Sequence, residues 1–127
     1  MAGGVIVLRP YRVAVYGTLK RHQSNHRVLA GSRLVGECSL NSIVLYDLGP
    51  YPGAKLERSQ GVLIEVYEVD GPTFARLDAL EGYDAASPAM GLYDRKLLDT
   101  PLGRAWVYIY NHAVSKGGEI RVGGWPQ

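Results

Sequence analysis

Two periodicities alternate along this chain. Residues 12–16 (Arg-Val-Ala-Val-Tyr) form an apolar run of strand length. Gly17 interrupts it, and residues 17–20 read as a turn. From Gly61 to Val69, Val62, Ile64 and Val66 share one face and Leu63, Glu65 and Tyr67 the other, which predicts a half-buried strand. After Asp70-Gly71 the period lengthens. Pro72 suits a first helical turn, Phe74, Leu77 and Leu80 recur on one side, and Gly82 is a stop signal, so a helix is predicted over 72–81. Ser24 reads as the N-cap of a shorter helix over 25–30, closed by Gly31. Residues 34–48 are β-rich, the prolines and glycines of 49–53 predict a rigid loop, and further strands are expected at 93–98 and 104–110. Five or six strands joined by connections too short for crossover helices predict an α+β fold with a largely antiparallel sheet or small barrel.

Composition narrows the function classes. A chain of 127 residues is the size of one domain, taken here as 1–127 with an extra segment over 1–11 and a glycine-rich tail over 113–127. Its 14 basic and 12 acidic residues are interspersed, leaving no basic stripe for nucleic acid or anionic lipid. The apolar run at residues 5–8 is too short for a signal-peptide core or a membrane span. A single cysteine, Cys38, excludes an intrachain disulfide and a cysteine-rich zinc site, and suits a cytoplasmic location. Cys38 falls in a predicted strand, where it reads as a small core residue. Nine tyrosines against one phenylalanine predict an interior whose ring hydroxyls need partners.

Candidate chemistry follows from the helical stripe. Glu81 lies seven residues after Phe74 and four after Leu77, so it falls within the apolar face. Burial and the helix C-terminus both penalise its carboxylate, which favours a raised pKa suited to proton transfer near neutrality. The competing reading has Glu81 splayed into solvent or paired with Arg95. Asp78, at the stripe's edge, is expected to tolerate Asp78→Asn without effect, and Asp94 and Arg95 are expected to form surface pairs. Tyr16-Gly17-Thr18-Leu19 follows the first strand, and a glycine there lets adjacent backbone N–H groups converge on a carboxylate, phosphate or oxyanion; an ordinary strand-end turn is the alternative. His22 and His26 have the i, i+4 spacing of metal ligands but no acidic or cysteine partner nearby, and Ser24 lacks nucleophile-elbow glycines. No metal and no cofactor is therefore expected.

Assembled in order, these segments resemble one family. Val13-Ala-Val-Tyr-Gly-Thr-Leu-Lys20 with Asn25, the loop Leu45-Tyr-Asp-Leu-Gly-Pro-Tyr-Pro-Gly53, Leu77-Asp-Ala-Leu-Glu-Gly-Tyr83 with Tyr93-Asp-Arg95, and Trp106-Val-Tyr-Ile-Tyr110 are similar to the signature of the γ-glutamylcyclotransferase-like, or AIG2-like, superfamily. The resemblance implies a small, mostly antiparallel β-barrel flanked by short helices, with one pocket at its mouth. It implies cyclisation of a γ-glutamyl amine or peptide to 5-oxoproline, with Glu81 as general base and then general acid. The Tyr16, Gly17, Thr18 and Leu19 backbone would hold the glutamyl group and the oxyanion, with Tyr93 and Tyr110 as pocket side chains. The expected partner is a small γ-glutamyl molecule, and the expected state a monomer or small homo-oligomer. A non-catalytic module sensing a small ligand in the same pocket is the other expectation. The loop over 83–92 would border the pocket.

Overall fold

A computed structural model describes residues 8–127. The expected strands at 61–69 and 93–98 have those bounds, and the first strand and the last core strand differ from expectation by a residue. In chain order the strands are β1 (Tyr11–Val15), β2 (Arg33–Leu40), β3 (Val44–Asp47), β4 (Pro52–Lys55), β5 (Gly61–Val69), β6 (Tyr93–Leu98), β7 (Ala105–Tyr110), β8 (Glu119–Ile120) and β9 (Val122–Gly123), with the helix α1 (Gly71–Glu81) between β5 and β6.

The main sheet runs β2-β5-β1-β7-β6, with β9 added to the start of β5, and a second sheet runs β4-β3-β8. Pairing is mostly antiparallel, but β1 lies parallel to β7 and β5 parallel to β9. The main sheet is not closed into a barrel, which corrects the barrel expectation. Its outer strands β2 and β6 are edges, and in the second sheet the four-residue strand β3 pairs with β4 on one side and β8 on the other.

This layering explains a second correction. β5 is flanked by β2 and β1 and is buried on both faces rather than one. Val62, Ile64 and Val66 face the small sheet together with Leu45, Ala54, Ile120 and Trp125. Tyr67 and Val69 face the other way, into a cluster with Phe74 and Leu77 of α1 and Leu29 of the 3-10 turn His26–Leu29. Burying both faces suits the near-continuous apolar run of a central strand.

The helix is bounded by its sequence. Asp70 is extended, and its carboxylate accepts the Thr73 backbone N–H at 2.8 Å, satisfying one of the orphan amides of the first turn. At the other end Gly82 takes a left-handed conformation (φ 64°), its N–H returning to Ala79 and that of Tyr83 to Asp78. Leu80 is an exception to the predicted stripe, being 42% exposed. Ser24 caps nothing: the short helix is the single 3-10 turn His26–Leu29, preceded by Asn25. Cys38, on β2, is half-buried against the core. Among the described residues no helix is long and apolar enough to cross a membrane.

Candidate functional site

The end of β1 and the end of α1 meet at a pocket. Tyr16, Gly17, Thr18 and Leu19 line it together with Glu81, Tyr51, Pro52, Tyr93 and Tyr108. This inner cavity measures about 30 Å³ and opens into an outer groove of about 360 Å³ that shares Thr18, Tyr51, Glu81 and Tyr93.

Glu81 is half-buried, and among the described residues no hydrogen bond or ion pair reaches its carboxylate. Burial pushes it up to about 7, from an ordinary value of 4.5. Arg95 does not pair with it. The Arg95 guanidinium is committed to Asp78, Nε to Oδ1 at 3.0 Å, and stacks within 4.3–4.5 Å of the Phe74, Tyr83 and Trp106 rings. Asp78 also accepts the Tyr108 hydroxyl at 2.7 Å. The pair is largely shielded from solvent, which corrects both the surface-pair reading of Arg95 and the reading of Asp78 as an inert position. Asp94, itself largely shielded, pairs with the exposed Lys96 at 3.3 Å. The two carboxylates of the last helical turns therefore have opposite fates: Asp78 is saturated and Glu81 is bare.

On the facing turn, the amides of Lys20, Gln23, Asn25 and His26 are donated within the turn, and that of Arg21 to Glu65. Those of Gly17, Thr18 and Leu19 have no protein acceptor among the described residues. Gly17 is glycine for want of space rather than for its dihedral angles, because a Cβ there would lie 2.7 Å from the Pro52 ring. The turn is held from behind by Glu65, a buried carboxylate on β5 that accepts the Arg21 backbone N–H at 2.9 Å, the Arg21 guanidinium and the Tyr67 hydroxyl. Asn25 closes the turn through its side chain to the Thr18 hydroxyl at 3.0 Å. The sequence reading missed this role for Glu65; the signal was an acidic residue in the middle of an apolar strand.

The pocket tyrosines are structural through their hydroxyls. Tyr16 donates to the Tyr108 carbonyl at 2.7 Å and accepts from the Ala54 N–H at 3.2 Å, and Tyr93 donates to the Pro52 carbonyl at 2.7 Å. Burial raises the phenols of Tyr16, Tyr93 and Tyr108 above their ordinary range, and the nearby Glu81 acts in the same direction. Tyr93 lines the pocket, whereas Tyr110 stands behind it, with its ring edge-on to Tyr93 at 5.3 Å. Of the 83–92 loop, Leu92 lines the outer groove. His22 lies in a left-handed turn position, and the His26 ring nitrogen is 2.9 Å from the Leu19 carbonyl, so the two do not share a helical face. Among the described residues no three His, Cys, Asp or Glu side chains cluster as metal ligands.

With this geometry in view, the chain's similarity to known proteins is specific. The family model for γ-glutamyl cyclotransferase, AIG2-like, matches residues 13–127. The chain belongs to the γ-glutamyl cyclotransferase, AIG2-like family. Among its relatives, the γ-glutamylcyclotransferase family protein YtfP of Escherichia coli K12 is 39% identical over 114 residues, covering 90% of this chain and 95% of that one. The γ-L-glutamyl-butirosin B γ-glutamyl cyclotransferase of Niallia circulans is 36% identical over 104 residues, covering 76% of this chain and 65% of its own. In three dimensions a crystal structure of a Pyrococcus horikoshii protein superposes with a TM-score of 0.70 at 28% identity, covering 87% of this chain and 86% of that one. The mixed sheet with one helix seen in this chain thus matches the fold of its solved relatives.

Proposed function

We propose that this protein cyclises a γ-glutamyl amide to 5-oxoproline, releasing the amine, with Glu81 carrying the protons. The observation that supports the reading is that Glu81, desolvated and without a partner among the described residues, lines one small cavity together with Gly17, Thr18 and Leu19, whose amides have no protein acceptor among the described residues.

The chemistry follows from that arrangement. The substrate's α-nitrogen attacks its own γ-carbonyl carbon, closing a five-membered ring; the new C–N bond forms as the bond to the leaving nitrogen breaks. The α-ammonium has three hydrogens and the lactam nitrogen keeps one, so the other two end on the departing amine. A carboxyl with a pKa near 7 serves as base for the first transfer and as acid for the second. Backbone N–H groups of the turn stabilise the carbonyl oxygen as it gains charge, where a single well-aimed donor is worth ~3–4 kcal/mol. Holding both ends of one substrate in attack geometry supplies more, up to about 7–11 kcal/mol. A non-catalytic module resting on a Glu81–Arg95 ion pair finds no support in the pairing, since Arg95 is held by Asp78.

The test is incubation with γ-glutamyl amines, γ-glutamyl dipeptides and glutathione, following 5-oxoproline by chromatography. Release of 5-oxoproline from at least one, slowed about 10²–10⁴-fold in Glu81→Gln, is the expected result. Binding of these compounds without any 5-oxoproline would establish the sensing module instead.

A further inference from the structure

The inner cavity is polarised by residues that do not line it. The turn after β1 brings donors: the free amides of Gly17, Thr18 and Leu19, and the hydrogen of the Thr18 hydroxyl, whose oxygen already accepts from Asn25. A phenol has one hydrogen to give and lone pairs to receive. Tyr93 has spent its hydrogen on the Pro52 carbonyl and Tyr108 on Asp78 Oδ1, each at 2.7 Å, so both oxygens are left as acceptors. The two differ in what holds the hydrogen. Pro52 belongs to the cavity lining, whereas Asp78 lines a separate groove with Arg95, Phe74 and Trp106. There the Arg95 Nε lies 3.0 Å from the same Asp78 Oδ1 that receives the Tyr108 hydroxyl. A guanidinium only donates and a carboxylate only accepts, so this ion pair leaves the Tyr108 hydroxyl one polarity. Burial and the bond to Asp78 both raise the Tyr108 phenol above its ordinary range, which keeps it protonated.

We infer that the Tyr108 oxygen accepts a hydrogen of the substrate's α-nitrogen, and that Asp78, paired with Arg95, is the positioning residue that fixes Tyr108 as an acceptor. This rests on the cyclotransferase reading of the site. Once Glu81 has taken one hydrogen from the α-ammonium, the nitrogen keeps two hydrogens and one lone pair, and the lone pair is the nucleophile. An acceptor holding one N–H bond restricts rotation of the amine and leaves the lone pair for the γ-carbonyl. A hydroxyl free to rotate would instead donate to that lone pair and quench it. The Asp78–Arg95 pair, outside the cavity, forbids this rotation. It contributes no charge to the lining, and Glu81 owes its raised pKa to burial.

Two compounds that differ only in the α-amino group test this: γ-glutamyl-propylamide and its desamino counterpart, the mono-propylamide of glutaric acid. Binding of both is measured by calorimetry in the Glu81→Gln background, and turnover of the first with Glu81 intact. Tyr108→Phe keeps the ring and removes the acceptor. It should weaken the amino compound about tenfold and the desamino compound less than about twofold, the selectivity expected for one hydrogen bond to a charged group. Asp78→Leu combined with Arg95→Met exchanges the ion pair for apolar side chains, a replacement that tends to preserve stability. It frees the Tyr108 hydroxyl, which can still accept in the ground state, so kcat should fall about tenfold while KM changes less than about twofold. Parallel weakening of both compounds in Tyr108→Phe, or of neither, overturns the inference. So does a native kcat in the double variant, or a loss in it that falls on KM alone. If no 5-oxoproline is formed but Tyr108→Phe still weakens the amino compound selectively, the Tyr108 contact stands and the cyclisation reading falls.

Discussion

Glu81→Gln should stabilise the protein at pH 8 and change its stability little at pH 4.5. In the folded state burial lifts the carboxyl to about 7, whereas in the unfolded chain it titrates near its ordinary 4.5. Below pH 4.5 both states hold the proton and the group has no net effect on folding. Between these values the native state binds more protons than the unfolded one, so stability falls as pH rises and the full cost is reached above pH 7. At about 1.36 kcal/mol per pKa unit, that difference sets a ceiling of about 3.4 kcal/mol, reduced to the extent that pocket water still solvates the half-buried carboxylate. Glutamine keeps the volume and has no charge to desolvate. Urea unfolding of both proteins from pH 4.5 to pH 8.5 gives the comparison, and a stabilisation of this order moves the midpoint by about 1–2 M for a domain of this size. A stability difference that stays flat across this range, or that favours the native glutamate at high pH, would refute the argument that this carboxyl is desolvated and unpaired.

The same substitution should lower turnover about 10²–10⁴-fold in a 5-oxoproline assay while leaving substrate binding detectable by calorimetry. The native protein's kcat/KM should rise with pH through about 7, as the Glu81 carboxyl ionises to the base form, and this limb should be absent from the residual activity of Glu81→Gln. Gly17→Ala places a methyl 2.7 Å from the Pro52 ring, and the resulting shift should cost about 1–3 kcal/mol by denaturation and more than tenfold in kcat/KM. Asp78→Asn removes the charge that balances Arg95 among its three aromatic rings, and should cost about 1–3 kcal/mol while Glu81 keeps its place in the pocket; a Tm equal to the native protein's would contradict that account.

Legibility in the sequence followed the length scale of the signal. The helix was plain because Asp70, Pro72 and Gly82 mark its ends and Phe74 and Leu77 its buried face, all within one window. β5, β6 and β7 were plain for the same local reason. β4 reads Pro-Gly-Ala-Lys, a string of poor strand formers, and becomes a strand through pairing with β3. The two-residue strands β8 and β9 are also products of their partners. Whether a sheet closes depends on edges far apart in sequence, so local patterns could not exclude a barrel. At the site, periodicity aimed Glu81 inward but could not assign Arg95, because its partner was decided by where β6 crosses α1. Leu80 had the periodicity of a core residue and lies past the edge of what the sheet can cover.

The hydroxyls of Tyr16 and Tyr93 have a consequence for how the protein can be altered. Both end on β4, one at the Ala54 N–H and one at the Pro52 carbonyl, so they rivet the small sheet to the main one directly beneath the inner cavity. The outer groove shares Tyr93 with them, but Leu80, Pro50 and Leu92 come from the last turn of α1, the loop before β4 and the residue before β6. Leu80, Pro50 and Leu92 can therefore be exchanged in a library without loosening the rivets, while the reacting centre keeps its dimensions. If the inner cavity is the reaction chamber proposed above, the groove beside it is a replaceable antechamber, and the fold a modular scaffold for retargeting amide release.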